Sequence, residues 1–187
     1  MKNIILASQS PRRKELLALL DLNFTVEVRE VNEVFPKSLE VDKVAEYLAH
    51  LKAAAFTDIR TDQIIITADT VVILEEQILG KPKNKTEAVK MLESLSNRSH
   101  KVMTGVCIKS KDKTVSFSNT TKVFFKELAS SEINYYIENY KPFDKAGSYG
   151  IQEWIGAIGI TKIEGSYFNV VGLPVQELNE QLQNEYF

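Results

Sequence analysis

The segment Leu6-Ala7-Ser8-Gln9-Ser10-Pro11-Arg12-Arg13 concentrates groups that bind anions. Ser8 and Ser10 offer hydroxyls, and Arg12 and Arg13 offer guanidiniums whose N–H forks match phosphate oxygens. Ser10 suits a helix N-cap and Pro11 the first helical position, which puts both arginines in the first turn. The helix dipole is positive there, and each cation costs about 0.3–1 kcal/mol. Two arginines at such a place, beside the unpaired N–H groups of a helix start, favour phosphate binding over two solvated side chains.

Acidic and amide groups further along could complete the chemistry. Asp69 stands where the apolar run Gln63–Ala68 meets its first polar residues. The carboxyl ends of strands are where α/β sheets gather ligands, so Asp69 is the strongest acidic candidate, with a turn-capping carboxylate as the plain alternative. Glu33, in a loop without pattern, has a weaker case, and alone it reads as a solvated side chain. Lys52 follows Leu48 by one turn, at the edge of an apolar stripe, the ordinary place for a lysine whose stem covers the core. Lys81, between Gly80 and Pro82, sits on constrained backbone that aims its ammonium; a turn lysine is the alternative. In Asp144–Gln152 two glycines flank an aromatic, which fits a close ligand approach or a tight bend. The Gln152 amide, donor and acceptor at once, can read a base edge. Cys107 reads as core, His100 as fixing a turn rather than ligating metal, and Trp154 with the aromatics of residues 132–140 as packing.

The elements that must hold these groups alternate. Ile4–Leu6 reads as a buried strand, followed by a helix through Leu20 and a strand over Phe24–Val28. A polar loop runs from Arg29 to Glu40, and Asp42 caps a helix with apolar positions Val44, Leu48, Leu51 and Ala55. Gln63–Ala68 is a strand buried on both faces, ending at Asp69-Thr70 and resuming over Val71–Leu74. A turn at Glu75–Gln77 leads to Ile78–Pro82, and a helix over Lys85–Leu95 is capped by Asn84 or Thr86. His100–Lys109 and Thr114–Lys126 form a long hairpin. Ser130–Asn139 is a helix capped by Ser130 or Ser131, followed by a Gly-rich stretch to Gly159. Strands follow at Ile160–Ile163 and Tyr167–Val171, and Pro174 opens a C-terminal helix. No repeat or linker interrupts the 187 residues, so one domain with an α/β architecture and a central mixed sheet is expected.

Composition narrows the function classes. Hydrophobic residues make up 44% and charged ones 26%, and the formal net charge is -2. That balance argues against a general nucleic-acid or membrane-surface binder, so an anionic substrate must meet a local basic patch. No apolar stretch approaches a membrane span of about 20 residues, and no signal peptide is read at the N-terminus. One cysteine excludes an internal disulfide, and with two histidines a structural zinc site is improbable. A soluble cytoplasmic protein is expected.

The combined pattern resembles the Maf family of nucleoside triphosphate pyrophosphatases, related in fold to the inosine triphosphatase group. The resemblance rests on Leu6–Arg13, Ala68-Asp69-Thr70-Val71-Val72, Gly80-Lys81-Pro82, His100–Val106, Asp144–Gln152 and Glu164–Pro174, in family order over nearly the whole chain. Asn97 departs from it where the family commonly has glycine, a change expected to alter a turn and not the chemistry. The resemblance implies an elongated sheet in two lobes with a cleft between them. It also implies hydrolysis of a nucleoside triphosphate between the α- and β-phosphates. Arg13, Thr70 and Gln152 resemble the subgroup acting on dTTP and UTP rather than on 7-methyl-GTP. Carried over by residue, Asp69 is the general base, Glu33 its companion at a divalent metal (Mg2+ or Mn2+), and Ser8, Arg12, Arg13, Lys52 and Lys81 are phosphate ligands. A homodimer is compatible with it.

An unperturbed aspartate has a pKa of about 3.9, too low for a strong base. Asp69 therefore needs either a shift from its neighbours or a metal-bound water already made acidic. The alternative of a different class is a nucleotide-binding regulator of cell division, which needs no base.

Overall fold

Strand β1 (Asn3–Leu6) is flanked by parallel neighbours on both sides, β2 (Phe24–Val26) in register Ile4↔Phe24 and β3 (Gln63–Leu74) in register Ile4↔Ile64. Ile4, Ile5 and Leu6 are accordingly buried, as a central parallel strand requires. The computed structural model describes residues 2–187. Its seven-stranded mixed sheet has the order β2-β1-β3-β5-β6-β7, with β4 (Gln77–Leu79) antiparallel to the far end of β3. The long strands are β5 (Ser99–Lys109) and β6 (Thr114–Phe125), and β7 (Ile160–Glu164) runs antiparallel to β6. Helices α1 (Pro11–Ala18), α2 (Val44–Ala54), α3 (Lys85–Leu95), α4 (Ser130–Tyr140), α5 (Trp154–Gly159), α6 (Tyr167–Val171) and α7 (Val175–Glu185) complete it.

The chain divides into two compact units. The first holds the residues up to Thr70, Thr104–Asn119 and Gly172–Phe187; the second holds Val71–Met103 and Thr120–Val171. In the first, Gly105 is a site of close approach: a Cβ there would lie 2.3 Å from the Ala45 carbonyl carbon, so only glycine lets the start of α2 rest on β5. Cys107 packs buried against Ala49 and Ala53 of α2, as expected. In the second, Leu92 and Leu95 of α3, Ile133, Tyr136 and Ile137 of α4, and Val123 and Phe125 of β6 share one core. Trp154 packs against it and against Tyr135 at 4.8 Å.

Capping chemistry explains most element starts. Ser10 caps α1, its Oγ accepting from Arg13 N at 3.4 Å with Pro11 next, as its sequence implies. Asn84 rather than Thr86 caps α3, accepting from Glu87 N at 2.9 Å. Three expectations need correction. Asp42 does not cap α2; it sits in a short 3-10 turn, Val41–Lys43, that leads into the helix. Neither Ser130 nor Ser131 caps α4: Ala129 holds that position, and its own N–H donates to the Glu132 carboxylate at 2.9 Å. Tyr167–Val171 is helix α6, not a strand, because Ser166 Oγ accepts from Asn169 N at 3.2 Å and starts a turn. Asn169 then buries its amide between Val102 O and Thr121 Oγ1, holding that turn against the β-branched preference of Val170 and Val171. The Gly-rich stretch also contains helix α5, which the sequence does not mark. Asn97 adopts φ +55, a left-handed conformation that asparagine tolerates better than most residues, so glycine is dispensable there.

His100 does not fix a turn. It is buried within β5, stacked on Phe125 at 5.6 Å, with Nε2 2.6 Å from the Tyr149 hydroxyl and Nδ1 without a hydrogen-bond partner among the described residues. Burial lowers its pKa from 6.5 to about 4. Between those values the unfolded chain holds a proton that the folded one rejects, so stability is full above pH 6.5 and falls as pH drops toward 4. The loss reaches up to about 3 kcal/mol at the bottom of that window. Thermal unfolding midpoints measured from about pH 7 to about pH 4.5 are expected to fall more steeply for the native chain than for His100→Gln. Equal slopes would remove His100 as the cause.

Candidate active site

Within the first unit, three sequence-distant segments bring charged side chains together. Thr67 and Asp69 point from β3 to the same side, two residues apart. The buried Thr67 hydroxyl donates to Ala49 O of α2 at 2.6 Å, which locks the helix onto the strand. One turn after Ala49 comes Lys52, whose Nζ lies 2.5 Å from Asp69 Oδ1. The same ammonium reaches Glu33 Oε2 at 3.1 Å, drawing in the polar loop. The end of α2 is also satisfied by cations, as its dipole favours: Lys109 Nζ donates to Ala53 O at 3.2 Å and Arg29 to Ala55 O at 3.0 Å. Lys52 therefore joins two carboxylates with its head.

Asp69 does not stand at a strand end. β3 runs through it from Gln63 to Leu74, and its buried run is interrupted at Asp69 and Thr70. The gap exposes polar groups in mid-strand: the Asp69 side chain is 14% exposed, against 53% for Glu33.

The Ser8–Arg13 segment has the capped helix start its sequence implies, but Arg13 is bonded to protein groups. Its Nε donates to Gly172 O at 2.8 Å, one Nη to Thr70 Oγ1 at 3.0 Å, and the other lies 3.5 Å from Ser8 Oγ. Burial lowers its pKa, opposed by Asp69, lowered further by Arg12 and opposed again by Glu33. Ser8 is buried, and its hydroxyl also accepts from Ser10 N at 3.2 Å. Arg12 is half-buried in the first turn of α1. Thr104 lies in the His100–Val106 stretch but carries no signal of its own, since one threonine in an apolar strand looks like filler. It is fully buried, with Oγ1 2.9 Å from Thr70 Oγ1, so it orients the hydroxyl that Arg13 also holds.

Lys81 and Gln152 belong to the second unit, and both are exposed. Their segments are tied to each other: Gly147 N donates to Gly80 O at 3.1 Å. The first unit thus assembles Ser8, Arg12, Arg13, Glu33, Lys52, Asp69 and Thr70, and the second joins the Lys81 turn to the Gln152 segment.

The donor set also discriminates among metals. Among the described residues, no group of three or more His, Cys, Asp and Glu side chains could hold an ion alone. Two carboxylates converging on one ammonium fit a hard divalent cation that takes one or two protein carboxylates and completes its shell with substrate oxygens and water. They do not fit a closed structural zinc site. No described helix is long and apolar enough to cross a membrane.

The sheet order and its helices are those of an α/β protein with known structural relatives. The Staphylococcus aureus Ham1 protein superposes with a TM-score of 0.50 at 18% identity, covering 66% of this chain and 72% of that one, a likeness of fold. Residues 3–185 match the family described as Maf-like protein, and the chain belongs to that family. It is 52% identical to the dTTP/UTP pyrophosphatase of Flavobacterium psychrophilum over 98% of this chain and 95% of that protein. It is 51% identical to the dTTP/UTP pyrophosphatase of Christiangramia forsetii, over 96% and 92% respectively. The protein of that name from Porphyromonas gingivalis is 50% identical, over 97% and 93%.

Proposed function

We propose that this protein is a nucleoside triphosphate pyrophosphatase that hydrolyses dTTP and UTP to the monophosphate and pyrophosphate. The observation that carries the reading is the near-full-length identity of about half to relatives of that name, in a chain whose Asp69, Lys52 and Glu33 meet at one point. A triphosphate repels an attacking water, so its charge must be neutralised as the nucleophile is made. Asp69 orients the water and receives its proton, as the new P–O bond forms and the α–β bridging oxygen leaves with the electron pair. Lys52 holds Asp69 and Glu33 in place and faces the developing charge. Ser8, Arg12 and Lys81 bind phosphate oxygens, while Arg13 fixes Ser8 and Thr70 and adds positive potential. A divalent cation, Mg2+ or Mn2+, held by Glu33 and Asp69, would supply charge neutralisation at the triphosphate.

Base choice follows from complementarity. The uracil-type edge presents an N3–H donor flanked by two carbonyl acceptors, and the Gln152 amide matches one donor–acceptor pair of it. Cytosine places an amine where uracil has O4, which leaves polar groups unpaired. The test is product analysis of dTTP, UTP and CTP with magnesium. Monophosphate and pyrophosphate from dTTP and UTP, with CTP a poorer substrate, are expected. Orthophosphate and a diphosphate would assign the wrong bond, and binding of nucleotide without turnover would favour a regulator of cell division.

A further inference from the structure

The segment that carries Gln152 rests on one buried phenol. Tyr136 of α4 is fully buried in the core of the second unit. Its hydroxyl donates to Glu153 Oε2 and accepts from Gly150 N–H at 3.0 Å. Burial, and then the Glu153 carboxylate, push the phenol's pKa up, so it stays protonated and remains the donor. The other Glu153 oxygen pairs with Lys145 Nζ at 3.0 Å, and Lys145 in turn reaches Asp144 at 2.8 Å. Residues 150 and 153, the two that Tyr136 grips, bracket Ile151 and Gln152.

Gln152 is itself folded over this clamp. A Cβ built on Gly150 would lie 2.9 Å from Gln152 Nε2, 3.0 Å from Glu153 Cδ and 3.1 Å from Lys145 Cε. The amide nitrogen thus lies directly over the backbone that the phenol holds. Core packing alone calls for the ring, which stacks on Tyr140 at 5.2 Å, and phenylalanine would provide that. The hydroxyl has other work, because both of its partners lie on the Gln152 segment.

We propose that Tyr136 is a positioning residue for base choice, its hydroxyl clamping Gly150 and Glu153 so that the Gln152 amide meets the nucleobase in one orientation. The inference rests on the reading of Gln152 as the residue that meets the base. An amide on a loose segment can turn to offer either its donor or its acceptor, and so accepts both uracil and cytosine edges. Held within about 0.5 Å and roughly 10–20°, it cannot.

The test measures kcat/KM on UTP and CTP for the native chain, Tyr136→Phe, Gln152→Ala and the double variant, each with a thermal unfolding curve. Tyr136→Phe is expected to lower the UTP-over-CTP preference about tenfold, chiefly through KM for UTP. The double variant is expected to lose no more preference than Gln152→Ala alone, since Tyr136 acts through Gln152. Loss of preference in Gln152→Ala but not in Tyr136→Phe overturns the inference and leaves the Gln152 reading standing. An unchanged preference in both overturns the two together. Full additivity in the double variant also overturns it, because a merely structural role would act independently of Gln152. Should Tyr136→Phe fail to fold, Glu153→Gln, which breaks the charged tie to Lys145, decides in its place: the same fall in preference supports the clamp, and none overturns it.

Discussion

Replacing Asp69 with asparagine is expected to cut turnover of UTP and dTTP by at least about 10²–10⁴-fold, the usual worth of a positioned general base. The substitution keeps the shape of the side chain while removing its charge and its proton affinity. The fold is expected to survive, because Thr67, not Asp69, makes the buried bond from β3 to α2. Lys52 keeps Glu33 as a counter-ion, and the oxygen of the introduced amide can still accept from it, so no buried ammonium is stranded. Steady-state kinetics paired with circular dichroism and thermal unfolding separate the two effects. A variant that retains most of its activity would move the base elsewhere, with Glu33 first in line.

The elements that the sequence made legible are those whose signals are local. The buried strands β1 and β3, the Ser10-Pro11 start of α1 and the Asn84 cap of α3 each carry their cause within a few residues. The errors arise where a distant group supplies what a local rule expects nearby. Residues 167–171 look like a strand by their aromatic and β-branched content, yet Val102 O and Thr121 Oγ1, far along the chain, bind the Asn169 amide and hold a helix. The start of α4 is tied down by Glu132, three residues on from Ala129, which accepts from the Ala129 N–H, rather than by the serines at its beginning.

The site divides along the same line. Residue types were readable: a carboxylate breaking an apolar strand, arginines in a first turn, a lysine on the border of a stripe. Their pairing was not, because nothing in the sequence says that the stripe of α2 faces β3 at Asp69; Thr67 and Gly105 decide that. The plain account of Lys52 as a snorkelling lysine leaves out its head, which joins Asp69 and Glu33. Arg13, by contrast, reads in the sequence as an arginine offered to an anion, and nothing there shows that it is already bonded to Gly172, Thr70 and Ser8. Tyr136 gives no signal and Thr104 none of its own, since a threonine in a strand and a tyrosine in an aromatic helix look like packing until their hydroxyl partners are seen.

Lys52→Met isolates what its ammonium does from what its stem does. Methionine keeps much of the apolar length of the side chain, so that length survives the change. The charge that joins Asp69 and Glu33 does not, and the two carboxylates then repel each other beside an incoming polyanion. Loss of one preorganised charge partner at a reacting group typically costs about 10²–10³-fold in kcat, and the variant is expected to fall in that range. Its unfolding midpoint is expected to stay close to that of the native chain, because Asp69 and Glu33 both retain access to water. Lys52→Arg keeps the charge but replaces a point cation with a wide planar fork, and it is expected to recover part of the rate. Near-native kcat in Lys52→Met, with or without a change in stability, would return Lys52 to the role of a core-covering side chain and leave Asp69 to be held by the strand alone.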